Sequence, residues 1–396
     1  MAKVIDIIGK VLSGEWGTDD ETGDGIPVLR TTNFTNEGVV NYNDVVTRMI
    51  TKKNIEEKYL RKGDILIEKS GGSVKFPVGR VIYFDGEDNT YLFNNFTGLL
   101  RVKDREIWYP RYVFYSLFAN YKRGGTRAFE NKTTGLHNLK IDDYVSRYEV
   151  AEIGLTEQVL ICDKLDKLYE IIKLREQELQ LLDDLIKARF VEMFGNPVIN
   201  EKRWRQKSLG EITTKIGSGA TPKGGKGAYQ EEGITLIRSM NVHNGLFEYR
   251  ELAHISDEQA AKLDNVAIEE NDVLLNITGA SVARSCVVPN KILPARVNQH
   301  VCIIRCKEYI NPVFLNKLLI DDNYQDLLWS VAGAGATREA ITKQQVERLQ
   351  IIMPPVELQN EFMRFCNQVD KSKVAVQKAL DETQLLFDSL MQQYFE

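Results

Sequence analysis

His300, Cys302 and Cys306 stand at even spacing in one apolar run, so a strand would place them on one face and suggest a metal site. The geometry argues against it. A Cys-x-x-x-Cys pair in a strand separates the sulfurs by about 13 Å at roughly 3.3 Å per residue, too far for one tetrahedral zinc. These thiols are therefore expected to be buried. The four histidines (137, 243, 254 and 300) form no Ser/His/Asp arrangement that spacing supports. A phosphate-binding loop needs Gly, four residues and then Gly-Lys-Ser/Thr, whereas Gly225-Lys226 has Ala220 before it and Gly227 after it. Asn196-Pro197-Val198 and Met353-Pro354-Pro355-Val356 are imperfect versions of the Asn/Asp-Pro-Pro-aromatic motif of adenine methyltransferases, and a glycine-rich cofactor loop is missing. Asp64 with Glu68-Lys69 lacks the Glu-x-Lys order of common nuclease sites and reads as the polar end of a strand. No catalytic residue and no metal or cofactor ligand is assigned.

The chemistry that remains is electrostatic. The chain carries 51 basic and 56 acidic residues, net −5, but the charges are unevenly placed. Between 202 and 226, Lys202, Arg203, Arg205, Lys207, Lys215, Lys223 and Lys226 face only Glu211, and Lys122, Arg123, Arg127 and Lys132 face only Glu130. Local basic footprints of this kind can bind phosphates on an acidic molecule. The segments Tyr121–Thr134 and Ser218–Tyr229 combine Gly with Lys and Arg, and Gly333–Arg338 offers one guanidinium. Lys122, Arg123, Arg127, Lys132, Lys223, Lys226 and Arg338 are the candidate nucleic-acid-binding residues. Lys223 and Lys226 are expected on phosphates and Arg338 on a base. The competing reading of each loop is a solvated hairpin. Tyr109, Tyr112, Tyr115 and Phe118 read as core rather than as stacking groups.

The elements that must position these loops come in two copies. Gly25-Ile26-Pro27-Val28-Leu29-Arg30-Thr31-Thr32-Asn33 aligns with Gly233-Ile234-Thr235-Leu236-Ile237-Arg238-Ser239-Met240-Asn241 at an offset of 208. Asp64-Ile65-Leu66 meets Asp272-Val273-Leu274, and Ser70-Gly71-Gly72-Ser73 meets Thr278-Gly279-Ala280-Ser281, at the same offset. Later, Asp166-Lys167 with Gln180-Leu181-Leu182 and Asp184 recurs as Asp370-Lys371 with Gln384-Leu385-Leu386 and Asp388. The chain is one unit of about 205 residues, repeated.

Each copy changes period partway. Residues 1–154 and 196–354 are rich in Gly, Asn and Thr and carry short β-type runs (DILIEKS, GRVIYF and TGLLRV; ITLIRS, DVLLNIT and HVCIIRC) bounded by turn residues. Amphipathic stretches near Arg111–Tyr121 and Pro312–Trp329 add helix. In 155–195 a heptad seam runs through Ile161, Leu165, Leu168, Ile172, Leu179, Leu182 and Ile186, interrupted at Arg175. In 355–396 it runs through Phe362, Cys366, Val369, Val376, Leu380, Phe387 and Leu390, interrupted at Lys373 and Thr383. Each helical segment carries net −3, and its acidic faces, including Glu176, Glu178, Asp183 and Asp184, are expected to meet a basic partner surface. Such seams cannot be left in water, and pairing of the two helices is expected over packing of each on its own domain. The fold class is α+β: two β-rich domains in tandem, each followed by a long helix, the helices paired as an antiparallel coiled coil. Its parts are domain 1 (1–154), a central helical spacer (155–195), domain 2 (196–354) and a C-terminal helical spacer (355–396).

Composition narrows the class. With 396 residues, 43% hydrophobic and 27% charged, the chain is globular rather than disordered or fibrous. No apolar run reaches the roughly 20 residues that span a bilayer, so no membrane partner is expected and the cytoplasm is the expected compartment. Five cysteines at irregular spacing fit reduced thiols.

The tandem β domains with their helices closely resemble the specificity subunit of type I restriction-modification systems, over essentially the whole chain. The local pieces that carry this are Gly333-Ala334-Gly335-Ala336-Thr337-Arg338-Glu339-Ala340-Ile341, leading to Leu349-Gln350-Ile351-Ile352-Met353-Pro354-Pro355 and a helix, and the weaker Thr133-Thr134-Gly135-Leu136-His137-Asn138-Leu139 of the first copy. The first copy has Val150-Ala151-Glu152-Ile153 where the second has Pro-Pro. The resemblance implies target-recognition domains that each read half of a split double-stranded DNA sequence, with the helices as spacer. It implies a subunit without catalysis or cofactor of its own. The expected partners are modification subunits using S-adenosylmethionine to methylate adenines and restriction subunits using ATP. The alternative from another class is a coiled-coil structural or assembly protein with duplicated β modules and no nucleic acid.

Overall fold

A computed structural model describes the chain apart from residues 73–75, 134–135, 223, 334–338 and 396 and the side chains of 132, 133, 136, 226 and 228. It divides into two compact units, one of residues 1–176 with 378–396 and one of residues 177–377.

The first unit is built on an antiparallel sheet of β1 (Leu12–Ser13), β2 (Ile65–Glu68), β3 (Val81–Tyr83) and β4 (Thr97–Leu100), in the order β1-β4-β2-β3. The apolar run of β2 is continuous because both of its faces are covered. Ile65 and Ile67 join one core with Val113, Leu117 and Tyr144, while Leu66 joins a second with Leu29, Phe84 and Phe93. The second core is closed by a smaller sheet in which Ile26–Leu29 runs parallel to Leu92–Phe93. Helix α1 (Pro110–Lys122) covers the first, with Tyr112, Tyr115 and Phe118 buried as expected.

The second unit repeats this plan. Strands β5 (Thr213–Ser218), β6 (Val273–Asn276), β7 (Ser285–Val287) and β8 (Val301–Cys306) pair in the order β5-β8-β6-β7. Ile234–Ile237 again runs parallel to a late strand, Ala295–Val297. The repeat offset falls from 208 to 204 between Gly72 and Val81, because the second copy joins Ala280 to Ser285 by a connection four residues shorter. The amphipathic stretch Pro312–Trp329 is two helices rather than one, Pro312–Leu319 and Asp322–Gly333. Asp321 lies between them, its carboxylate accepting the amides of Asn323 and Tyr324 at 3.0 and 3.3 Å, a capping arrangement that starts a new helix.

Helix α2 (Leu155–Phe194) and helix α3 (Val356–Phe395) are each 40 residues long, about 60 Å. Gly195 ends α2 in a left-handed conformation (φ +76°), its amide bonding the Val191 carbonyl at 2.8 Å. In the first unit Ile161, Leu165 and Ile172 of α2 share a core with Phe387 and Met391 of α3 and with the β domain. In the second, Ile186, Phe190 and Phe194 of α2 meet Phe362, Cys366 and Val369 of α3 against β5–β8. The seam thus does two jobs: the helices pair with each other and with the domain beside them. Its interruption at Lys373 is an ion pair to Asp183 at 2.6 Å.

One buried glutamine in each unit sets where helix meets domain. Gln158 Oε1 accepts the Tyr109 amide at 2.8 Å while its Nε2 donates to the Ile107 and Ile153 carbonyls. Gln359 does the same with the Asn311 amide and the Tyr309 and Pro354 carbonyls. Both side chains are fully buried, and each satisfies three backbone groups at a corner where regular structure stops.

Candidate nucleic-acid interface

The residues with metal-ligating or acid–base side chains have structural roles. Cys302 and Cys286 are buried, Cys306 is half-buried, and burial pushes all three thiols up to about 12. No group of His, Cys, Asp or Glu able to hold a metal occurs among the described residues. Asp64 and Asp272 are fully buried, each gripped by an arginine through two nitrogens: Arg101 at 2.8 and 2.6 Å, Arg305 at 2.8 Å twice. Each carboxylate also accepts a backbone amide, from Arg61 or Glu269, at 2.8 Å. With its acceptors filled in this way, neither is free to act as a base.

In the first unit the end of α1 brings three candidate cations together. Gly124 adopts φ +77° and turns the chain into a short 3-10 turn, Gly125–Phe129, so Lys122, Arg123 and Arg127 border one concavity of about 370 Å³ with Asn36, Phe76 and Tyr121. All three cations are exposed, and Phe76 is 55% exposed beside them. Lys122 Nζ lies 5.2 Å from the Phe118 ring centre, and Arg123 Nη1 donates to the Phe395 carbonyl at 2.7 Å, compensating the end of α3. Lys132 lies in a hairpin strand, Glu130–Thr133, its backbone opposite His137, and its side chain is not described. In the second unit Lys226 lies in the turn Gly225–Ala228 with its side chain outside the described residues, and Lys223 and Arg338 fall outside them altogether.

A second group of exposed polar residues escaped the charge-based reading. Asn94–Thr97 and Asn298–Val301 are β-turns, closed by Thr97 N to Asn94 O at 3.2 Å and Val301 N to Asn298 O at 3.3 Å. Their central residues, Asn95-Phe96 and Gln299-His300, project at the same end of each central sheet, and Asn95, Phe96 and Gln299 are exposed. In the second unit they continue a hydrogen-bonded chain: Thr221 to Gln299, Gln299 to His300 at 3.2 Å, and His300 Nδ1 to Thr278 Oγ1 at 2.5 Å. Because none of these residues is Lys, Arg, Asp or Glu, counting charge could not find them. The match of Asn94-Asn95 to Asn298-Gln299 at an offset of 204 is the signal that could have.

The helices also carry apolar groups that the seam reading left out. Leu160, Ile171 and Leu174 of α2 are exposed in the first unit, Leu174 by 56%, as is Leu385 of α3 by 72%; in the second unit Leu181, Leu185 and Val374 are exposed. At 100° per residue, Leu160, Ile171 and Leu174 fall within about 60° in the first unit and Leu181 and Leu185 within about 40° in the second, in each case apart from the buried seam, while the exposed Val191 lies on another face. The acidic residues expected to face a partner are partly engaged already. Asp183 holds Lys373, Asp184 accepts Gln180 Nε2 at 3.1 Å, and Glu176 pairs with Lys173 at 2.9 Å.

Comparison with known proteins gives a consistent answer. The profile of the type I restriction modification DNA specificity domain matches residues 4–183 and again 201–383. The fold is similar to that of the type I restriction-modification system S subunit from M. genitalium (14% identity over 100% of this chain and 95% of that one, TM-score 0.57). It is also similar to a chain from a study of complex assembly and conformational transition of the type I R-M system (16% identity, 100% and 97% covered, TM-score 0.59). No curated protein sequence matches. Two specificity domains, in the order and spacing of the internal repeat and together accounting for most of the chain, establish that this protein belongs to the type I restriction-modification DNA specificity family.

Proposed function

We propose that this chain reads a split DNA target, one half-site per domain, and leaves methylation and cleavage to partner subunits. Its role is DNA specificity, and the observation that carries the finer reading is the duplication itself: one sheet plan built twice, with loops that differ in length and chemistry. Equal scaffolds with unequal loops suit unequal half-sites. Lys122, Arg123, Arg127 and Lys132 in the first domain and Lys223 and Lys226 in the second supply phosphate contacts, and Arg338 a base contact. S-adenosylmethionine and ATP belong on the modification and restriction subunits. We place its work in the cytoplasm, where DNA lies; no helix among the described residues is long and apolar enough to cross a membrane.

The test is exchange of one domain. Replacing residues 1–154 by the corresponding domain of another such subunit, co-expressed with modification subunits, is expected to change one half of the methylated sequence and preserve the other, as read by genome-wide adenine methylation mapping. A change in both halves would refute independent reading.

The exposed apolar residues of α2 are the groups we assign to contact with a modification subunit. Leu160, Leu174 and Leu181, held in water at more than half their area, gain from any partner that covers them, about 25 cal/mol per Å² of apolar surface buried. Leu174→Glu with Leu181→Glu is therefore expected to weaken assembly with modification subunits at least tenfold in sedimentation, leaving helical content intact. Unchanged assembly would move the docking surface elsewhere.

A further inference from the structure

The turns at Asn94–Thr97 and Asn298–Val301 belong to a larger repeated arrangement. Three segments converge at the same end of each central sheet, and in both copies their residues are chemically alike. The first is the end of the edge strand: Ser13-Gly14 at the end of β1, Ser218-Gly219 at the end of β5. The second is the exit of the middle strand: Ser70-Gly71 after β2, Thr278-Gly279 after β6. The third is the turn itself, Asn95-Phe96 or Gln299-His300. Backbone bonds hold them together. Phe96 O accepts Lys69 N at 2.8 Å and His300 O accepts Ile277 N at 2.9 Å, tying turn to middle strand. Glu15 N reaches the carbonyl of Phe93, the residue before the first turn, at 2.8 Å, and Gly219 N reaches Asn298 O of the second turn at 3.1 Å, bringing turn and edge strand together.

The glycines make this approach possible. A Cβ at Gly14 would sit 2.1 Å from the Phe93 carbonyl oxygen, and one at Gly219 would sit 1.6 Å from that of Val297, so no other residue lets these segments meet. Close contact explains the glycines. It does not explain why the exposed neighbours Ser13 and Ser218, or Asn95 and Gln299, also kept their chemistry, since exposed positions are free to diverge, as the exposed Phe96 and its half-buried counterpart His300 did.

Resting on the DNA-specificity reading, we propose that each domain uses this end, with Asn95 or Gln299 as the principal donor, to hold the phosphodiester backbone of duplex DNA. The argument is one of shared need. Two domains that read different bases have only the backbone in common, and hydroxyl, carboxamide and backbone N–H groups are its ordinary uncharged ligands. In the first domain Lys69, whose ammonium donates to Ser13 Oγ at 2.7 Å, adds a cation beside the same hydroxyl. These contacts position the domain, and base selection lies with its divergent loops.

The test uses the complex with modification subunits and two duplexes, one carrying the methylated target and one with that target scrambled. Asn95→Ala and Gln299→Ala are each expected to weaken both duplexes by the same factor, roughly three- to tenfold for one lost hydrogen bond. The methylated sequence is expected to stay unchanged. The slope of log affinity against log salt should also stay unchanged, because a neutral amide releases no counterion, whereas a lysine phosphate contact would lower it by about one. Selective loss on the target duplex with a relaxed base position would make these residues base readers and overturn the proposal. Unaltered affinity on both duplexes would overturn it too. Failure of the unsubstituted complex to prefer the target over the scrambled duplex would instead defeat the DNA-specificity reading itself.

Discussion

Replacing Phe362 by alanine is expected to destabilise the second unit by about 3–5 kcal/mol, the usual cost of deleting a fully buried aromatic ring. Phe362 of α3 lies 5.6 Å from the Phe190 ring and 5.4 Å from the Phe194 ring of α2, both close to edge-on. Phe194 in turn meets Phe314 of the β domain's own helix at 4.8 Å. One ring therefore touches the helix pairing directly and the domain packing through its neighbour, and the cavity left behind cannot close without moving a 40-residue helix. Urea unfolding followed through the near-ultraviolet signal would report the loss, with Leu385→Ala as an exposed control expected to fall within about 0.5 kcal/mol of the parent. A cost below about 1.5 kcal/mol at Phe362 would show that the helices can repack, and the four-ring cluster would not be what joins them to this domain.

The second large effect is expected at Arg305. Its guanidinium is the partner of Asp272, a carboxylate with no exposure, so Arg305→Leu leaves a buried charge without its counterion, at a cost of about 3–5 kcal/mol. The exposed Glu269 also lies against Arg305 but stays solvated and adds little. Changing Asp272→Asn together with Arg305→Leu should recover at least about 1 kcal/mol relative to the single variant, because the stranded charge is removed while the amide oxygen still accepts the Glu269 amide. Equal stability of the single and double variants would show that the loss comes from arginine packing rather than from the unpaired carboxylate. Arg101 and Asp64 occupy the same place in the first unit, and Arg101→Leu is expected to behave alike.

How much of this was legible in the chain depends on how local each signal is. The repeat, the β-type runs around Ile65, Val81 and Thr97 and their counterparts, and the heptad seams are patterns within a few dozen residues, and each names an element that exists. Gly195-Asn196-Pro197 marked the end of α2 for a reason confined to one turn of helix, the need for a left-handed residue. The grouping of Lys122, Arg123 and Arg127 was visible as charge because they lie within six residues, and the turn at Gly124 keeps them together in space. The break at Asp321 was missed because the apolar spacing of Pro312–Trp329 continues across it, while the cap that restarts the helix is a side-chain contact.

The sequence by itself determined the duplication, the class of each segment and the family, since all three follow from periodicity, composition and order along the chain. Only the tertiary structure decided what those residues face. It set Asp64 and Asp272 inside, against arginines 37 and 33 residues away, and so took them out of any chemistry. It divided the leucines of α2 between a buried seam and exposed positions, a distinction that hydropathy alone cannot make because both are equally apolar. It also gathered Ser13, Ser70 and Asn95, and likewise Ser218, Thr278 and Gln299, from segments tens of residues apart. The physical reason is the same in each case: burial and convergence are properties of the packed sheet, where strands distant in sequence become neighbours about 4.8 Å apart.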